Sequence, residues 1–115
     1  MDQYVVVPGR ILAASVNRWG PSAVLMSSVY LDTRDGDGPL NRAHLLQLAT
    51  KIEELGIPFI VGGDFQNDPD SSLITAWAEA VNGVIIKPDN WTCRQNVGEG
   101  STIDYFIVHK EIAPR

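Results

Sequence analysis

Gly62-Gly63-Asp64-Phe65-Gln66-Asn67 follows directly on the apolar run Ile57 to Val61. Paired glycines at a strand end let the backbone turn sharply and let a ligand come close. A carboxylate placed there stands at the mouth of a sheet, where sites on α/β folds usually lie. The amides of Gln66 and Asn67 add neutral oxygens and N–H donors beside it. A carboxylate flanked by amides suits the orientation of a water and of a metal-bound phosphate. The plainer reading of the segment is a loop with a solvated or capping Asp. A second acid, Asp104, opens the apolar run Ile103 to Val108 within Ser101-Thr102-Ile103-Asp104-Tyr105. An acid at the edge of such a run costs stability unless it finds partners. Its plainer reading is a hydrogen-bonded Asp that fixes the loop 88–100.

These acids need strands to hold them. Residues 10–19 read as a first strand and 22–31 as a second, with a hairpin break at Trp19-Gly20-Pro21-Ser22. Val24, Met26, Ser28 and Tyr30 share one face of the second strand, and Leu25, Ser27, Val29 and Leu31 the other. The turn-rich stretch 32–38 leads to a helix over 39–55, with Pro39 at its first position and Gly56 as its stop. Leu45, Leu48, Ala49, Ile52 and Leu55 form its buried stripe. The run 57–61 is a strand apolar on both faces, which places it centrally in a sheet. A second helix over 72–82 turns Leu73, Trp77, Ala80 and Val81 inward and stops at Gly83. Short strands over 84–86 and 103–108 complete the order β-β-α-β-α-β-β, a mixed α/β domain.

The 115 residues carry nine basic and 14 acidic side chains, a net charge of −5. That balance lacks the basic face of a general nucleic-acid binder. It suits a site that collects a divalent cation, which then neutralises a phosphate. Cys93 is a single thiol, so it forms no internal disulfide and reads as an idle side chain. No run reaches the roughly 18 apolar residues of a membrane span, and Met-Asp-Gln-Tyr does not open a signal peptide. A soluble intracellular protein is the expectation. Trp19 and Trp91 read as packing residues rather than a substrate groove.

The two acid-bearing segments together resemble the endonuclease/exonuclease/phosphatase superfamily, the DNase I-like proteins. The resemblance runs over about residues 10–113. It rests on the strand ending in Ser28-Val29-Tyr30-Leu31, the helix, Gly63-Asp64-Phe65, Pro69, Thr92 and Ser101-x-Ile103-Asp104-Tyr105, all in the family's order. It implies part of a four-layer α-β-β-α sandwich, a mixed sheet with flanking helices. It implies a metal-dependent phosphoester hydrolase, a nuclease or phosphatase, using Mg²⁺ or Mn²⁺ on nucleic acid or another phosphoester. Asp64 matches the aspartate that orients or deprotonates the attacking water and lies near the metal. Gln66 stands where the family has an Asn that contacts the phosphate, with Asn67 as its neighbour. Asp104 matches the aspartate that holds the catalytic histidine. Tyr30 falls where members place a Tyr or His facing the scissile phosphate.

The sequence also departs from the family. Residues 1–9 hold no Glu to match the family's metal ligand, and no Ser-Asp-His follows the Ile-Asp-Tyr strand before Arg115. His109 lies too close behind Asp104 to replace that histidine, and His44 reads as a surface or packing residue of the helix. Residues 1–115 are therefore expected to form a single incomplete domain with little activity alone. One face of its sheet would be apolar and open to a partner or to a missing half. The alternative is a catalytically silent remnant that serves as a binding or interaction module.

Overall fold

The computed structural model describes residues 2–17, 23–87 and 104–113. Eight elements follow in order: β1 (Asp2–Val7), β2 (Ile11–Asn17), β3 (Ala23–Tyr30), α1 (Pro39–Leu55), β4 (Phe59–Asp64), α2 (Ser72–Ala80), β5 (Gly83–Ile86) and β6 (Asp104–His109). The strands form one mixed sheet in the order β1-β2-β3-β4-β6-β5. β3 and β4 are parallel, joined through α1, and every other pair is antiparallel. The fold is α/β, as the element pattern predicts.

β1 corrects the expectation that the first strand begins near residue 10. Val5, Val6 and Val7 are β-branched and favour extended backbone. The turn at Pro8-Gly9, with Gly9 at φ +74°, returns the chain so that Val7 faces Ile11. A bulge between Val5 and Val7 interrupts the simple alternation that marks a strand in sequence. The described part of the expected strand 10–19 is β2, Ile11–Asn17, and the break at residues 18–22, with Trp19, lies outside the described residues. So do Trp91, Thr92, Cys93 and Ser101-Thr102-Ile103.

The helices cover one face of the sheet. α1 keeps its expected bounds because both ends are chemically marked. Pro39 occupies its first turn, and Gly56 closes it in the left-handed region at φ +63°, its N–H donating to Ile52 O at 3.0 Å. Leu45, Leu48 and Ile52 are buried from α1, with Asn41 and His44 beside them. α2 is capped by the Ser71 hydroxyl, which accepts from Ile74 N at 3.3 Å. It ends at Ala80 rather than 82, and Gly83 begins β5 instead of stopping the helix. Asn82 supplies the left-handed residue, at φ +62°. Ile74 and Ala78 join Leu73, Trp77 and Val81 inward, whereas Ala80 faces outward. Trp77 fastens the helices together, its indole N–H donating to Leu45 O at 2.8 Å.

β4 lies between β3 and β6, so it is interior as its apolar run predicts. Phe59 and Val61 point into the core with Leu25, Val29, Ile11, Ile107 and Tyr105. Among the described residues no helix lies on the opposite face. Leu12 (51% exposed), Met26 (47%) and Phe106 (52%) stand on it, forming the expected open apolar face. Among the described residues no helix is long and apolar enough to cross a membrane.

Candidate active site at the strand ends

β4 runs three residues further than its apolar stretch suggests, through Gly62 and Gly63 to Asp64. Asp64 is thus the last residue of an interior strand rather than part of a loop. It pairs with Tyr30 across the parallel ladder and with Asp104 across the antiparallel one. Register partners place side chains on the same face, with neighbouring strands about 4.8 Å apart. Tyr30, Asp64 and Asp104 therefore form one row at the end of the open face. This row joins residues 34 and 40 positions from Asp64 in the chain.

Gly63 makes the row possible. Its φ of +138° is a region L side chains rarely adopt, and a Cβ there would collide with Val29 O in the adjoining strand. The absence of a side chain lets β3 and β4 stay paired up to Tyr30 and Asp64. Beyond the row, Gln66 takes φ +52° and folds back. Its backbone N–H donates to Asp64 Oδ1 at 3.0 Å and its Nε2 to Oδ2 at 2.8 Å. Gln66 thus fixes the carboxylate plane with its amide nitrogen and leaves its amide oxygen for other contacts. Asn67 Nδ2 donates to Gly36 O and Phe65 O, both at 3.0 Å, and ties this turn to the loop before α1. The Tyr105 hydroxyl donates to Asn67 O at 2.7 Å, and its ring stacks on Phe65 with centroids 4.6 Å apart. Burial, followed by the charges of Asp68 and Asp64, raises the Tyr105 phenol far above its ordinary value. It remains a neutral donor.

Electrostatics mark the carboxylate pair. Asp104 titrates above the ordinary carboxylate value of 3.8, first through burial and then through the facing charge of Asp64. A raised folded value means that its contribution to stability is full below the ordinary value of 3.8 and is lost as pH rises through the higher folded value. Asp104→Asn is therefore expected to stabilise the chain more at pH 7 than at pH 4. Urea midpoints of both proteins at the two pH values measure this. An equal shift at both would mean that neither burial nor the charge of Asp64 disfavours the ionised Asp104.

Three residues at this end carry no signal in the sequence. Asp32 is buried, with Arg10 Nη2 at 3.4 Å from Oδ2 and the Arg34 N–H donating to Oδ1 at 2.8 Å. The Arg34 N–H chiefly holds its carboxyl below the usual range, against the opposing effect of burial, and the charges of Arg34 and Arg10 add to it. Asn41, fully buried in the first turn of α1, accepts from Asp32 N at 2.9 Å and donates to Asp32 O at 3.0 Å and Gly36 O at 2.8 Å. Its three bonds shape the loop on which Asn67 rests. Asn41→Ala would strand these buried groups and is expected to destabilise by about 2–3 kcal/mol, read from urea unfolding. A loss under about 0.5 kcal/mol would show that water replaces the amide. Arg10 lies behind the Tyr30 ring, its Cζ 5.3 Å from the centroid.

Neither histidine joins the row. His109 closes β6 at the other end of the sheet, its ring edge against Phe59 and its Nδ1 accepting the Glu111 N–H at 3.2 Å. His44 packs inward from α1. Among the described residues no three His, Cys, Asp or Glu side chains gather as a metal-ligand group. Two facing carboxylates are nonetheless the oxygen donors that a hard divalent cation accepts, since Mg²⁺ commonly takes one or two and fills its shell with water. The charge of Asp64 facing Asp104 fits such a cation.

No protein-family model matches the sequence, and no curated protein is detectably similar to it. Solved structures do match. The human Nocturnin catalytic domain, solved with a bound sulfate anion, aligns with 87% of this chain at TM-score 0.64 and 18% identity. A Staphylococcus aureus beta toxin mutant with bound magnesium ions aligns with 92% at 0.63 and 12%. The Haemophilus ducreyi cytolethal distending toxin aligns with 97% at 0.59 and 22%. The aligned region spans 41%, 44% and 42% of those chains, under half of each. All three are DNase I-like endonuclease/exonuclease/phosphatase folds, and this chain has that fold.

Proposed function

We propose that this chain carries a strand-end site for metal-dependent phosphoester hydrolysis, of nuclease or phosphatase type. The observation that carries the reading is the row Tyr30–Asp64–Asp104, built by register across three strands. In this reading the Asp64 carboxylate, held in plane by Gln66, orients a water for in-line attack on phosphorus and accepts its proton. The Tyr30 phenol and the second N–H of the Gln66 amide nitrogen donate to the phosphoryl oxygens. Asp104 keeps the local charge negative, and with Asp64 it would hold the cation. Mg²⁺ or Mn²⁺, once bound, would supply neutralisation of charge developing on the phosphoryl group. The magnesium ions bound by the beta toxin mutant support the choice of cation, and the sulfate bound by Nocturnin is a tetrahedral anion held by a chain of similar fold.

The test is hydrolysis of DNA and of a bis-aryl phosphodiester by the purified chain, with Mg²⁺, with Mn²⁺ and with chelator. Metal-dependent turnover that Asp64→Ala lacks supports the reading, and equal turnover by both proteins sinks it. The open apolar face favours a second reading, a silent module that buries Leu12, Met26 and Phe106 against a partner. That reading expects no turnover from the wild-type chain and weak Mg²⁺ binding by calorimetry.

A further inference from the structure

We propose that Arg10 is a positioning residue for Tyr30, holding the ring in the strand-end row so that its phenol meets a phosphoryl group beside Asp64. The proposal rests on the phosphoester reading and adds to it a residue outside the row.

Tyr30 is the last residue of β3 and 53% exposed. An exposed ring at a strand end has little core packing to select its rotamer. Arg10 makes four contacts with this short stretch of chain, one of them on the ring and three that fix the guanidinium and the Tyr30 backbone beside it. Its backbone O accepts the Tyr30 N–H at 2.8 Å. Its guanidinium lies over the Tyr30 ring at 5.3 Å, reaches Tyr30 O through Nη1 at 3.4 Å, and reaches Asp32 Oδ2 through Nη2 at 3.4 Å. A guanidinium is planar and forked, so it can stack and donate sideways at once, which a lysine ammonium cannot.

Arg10 is itself anchored. It follows the Pro8-Gly9 turn, and its N–H donates to Val7 O at 2.9 Å. Asp32, its side-chain partner, is in turn held by Asn41 and by the Arg34 N–H. Asp32 is ionised at neutral pH, and the Arg34 N–H favours that charged form. The contacts thus run from a rigid turn through Arg10 to the ring, and Arg10 acts on the reaction through Tyr30.

The experiment has two readouts on the full chain. The first is a kinetic cycle of wild type, Arg10→Gln, Tyr30→Phe and the double variant, with Mg²⁺ and the diester. Arg10→Gln is expected to lower kcat about ten-fold with KM within about two-fold, and to add nothing once Tyr30 is Phe. Arg10→Lys should recover only part of the loss. Multiplicative losses in the double variant, or a change confined to KM, would overturn the proposal by making Arg10 an independent binding group.

The second readout needs no turnover. Ring-carbon NMR of labelled tyrosines, with Tyr30 identified through Tyr30→Phe, should show the Tyr30 signal move in Arg10→Gln while Tyr4 and Tyr105 stay. An unmoved Tyr30 signal overturns the proposal. A moved signal in a chain without turnover defeats the phosphoester reading and supports the Arg10–Tyr30 coupling by itself. Unchanged circular dichroism of Arg10→Gln excludes misfolding as the cause.

Discussion

Asp64→Ala is expected to reduce metal-dependent hydrolysis by roughly 10²–10⁴-fold while leaving the chain folded. The size follows from the work assigned to the carboxylate, which orients the water and takes its proton. Folding survives because the losses and gains at this position are small and opposite. The Gln66 backbone and side-chain N–H groups lose their acceptor, a cost of about 1–2 kcal/mol at a partly exposed turn. Asp104 loses the charge that faces it. Its titration should then fall toward the ordinary value without reaching it, because burial is the larger of its two causes. Asp64→Asn is the stricter control. It keeps the shape and can still accept the Gln66 backbone N–H, and it removes the charge and the base. Turnover by Asp64→Asn within three-fold of wild type would remove Asp64 from the chemistry.

Gly63→Ala is expected to cause the largest loss of stability of any single methyl addition at the site. Two independent penalties coincide. The φ of +138° is strained for any L residue, and the added Cβ would fall inside the Val29 carbonyl oxygen of β3. That oxygen belongs to a paired interior strand and cannot swing aside. A cost of at least about 3 kcal/mol is expected, with a Tm fall of about 10 °C or more. Because the strands would part beside Tyr30 and Asp64, any turnover should be lost as well. Gly62→Ala provides the contrast. Its Cβ would meet the Phe106 ring, which is half exposed on the open face and can rotate away. A cost near 1 kcal/mol is expected there. Equal melting temperatures for the two variants would mean that the β3–β4 ladder opens to admit a side chain at Gly63.

The elements were written plainly where their punctuation is chemical. α1 was legible in both bounds because Pro39 and Gly56 act within one or two residues of themselves. The faces of β3 were legible because alternation needs only neighbours. Boundaries failed where pairing overrides propensity. β4 keeps Gly62 and Gly63 extended because β3 and β6 hydrogen-bond them from both sides. β1 forms because β2 offers it an edge.

The sequence determined by itself that Asp64 follows two glycines at the end of an apolar strand, and that Asp104 opens another. It determined the fold class and the acidic balance as well. These are properties of adjacent residues. Only the tertiary structure decided that the two acids face each other, that Tyr30 completes their row, and that Gln66 spends its amide nitrogen on Asp64. It alone brought Arg10 behind the Tyr30 ring and Asn41 beneath the loop. The physical reason is register, since hydrogen-bond ladders between strands set which distant residues share a row, and no local pattern encodes that pairing.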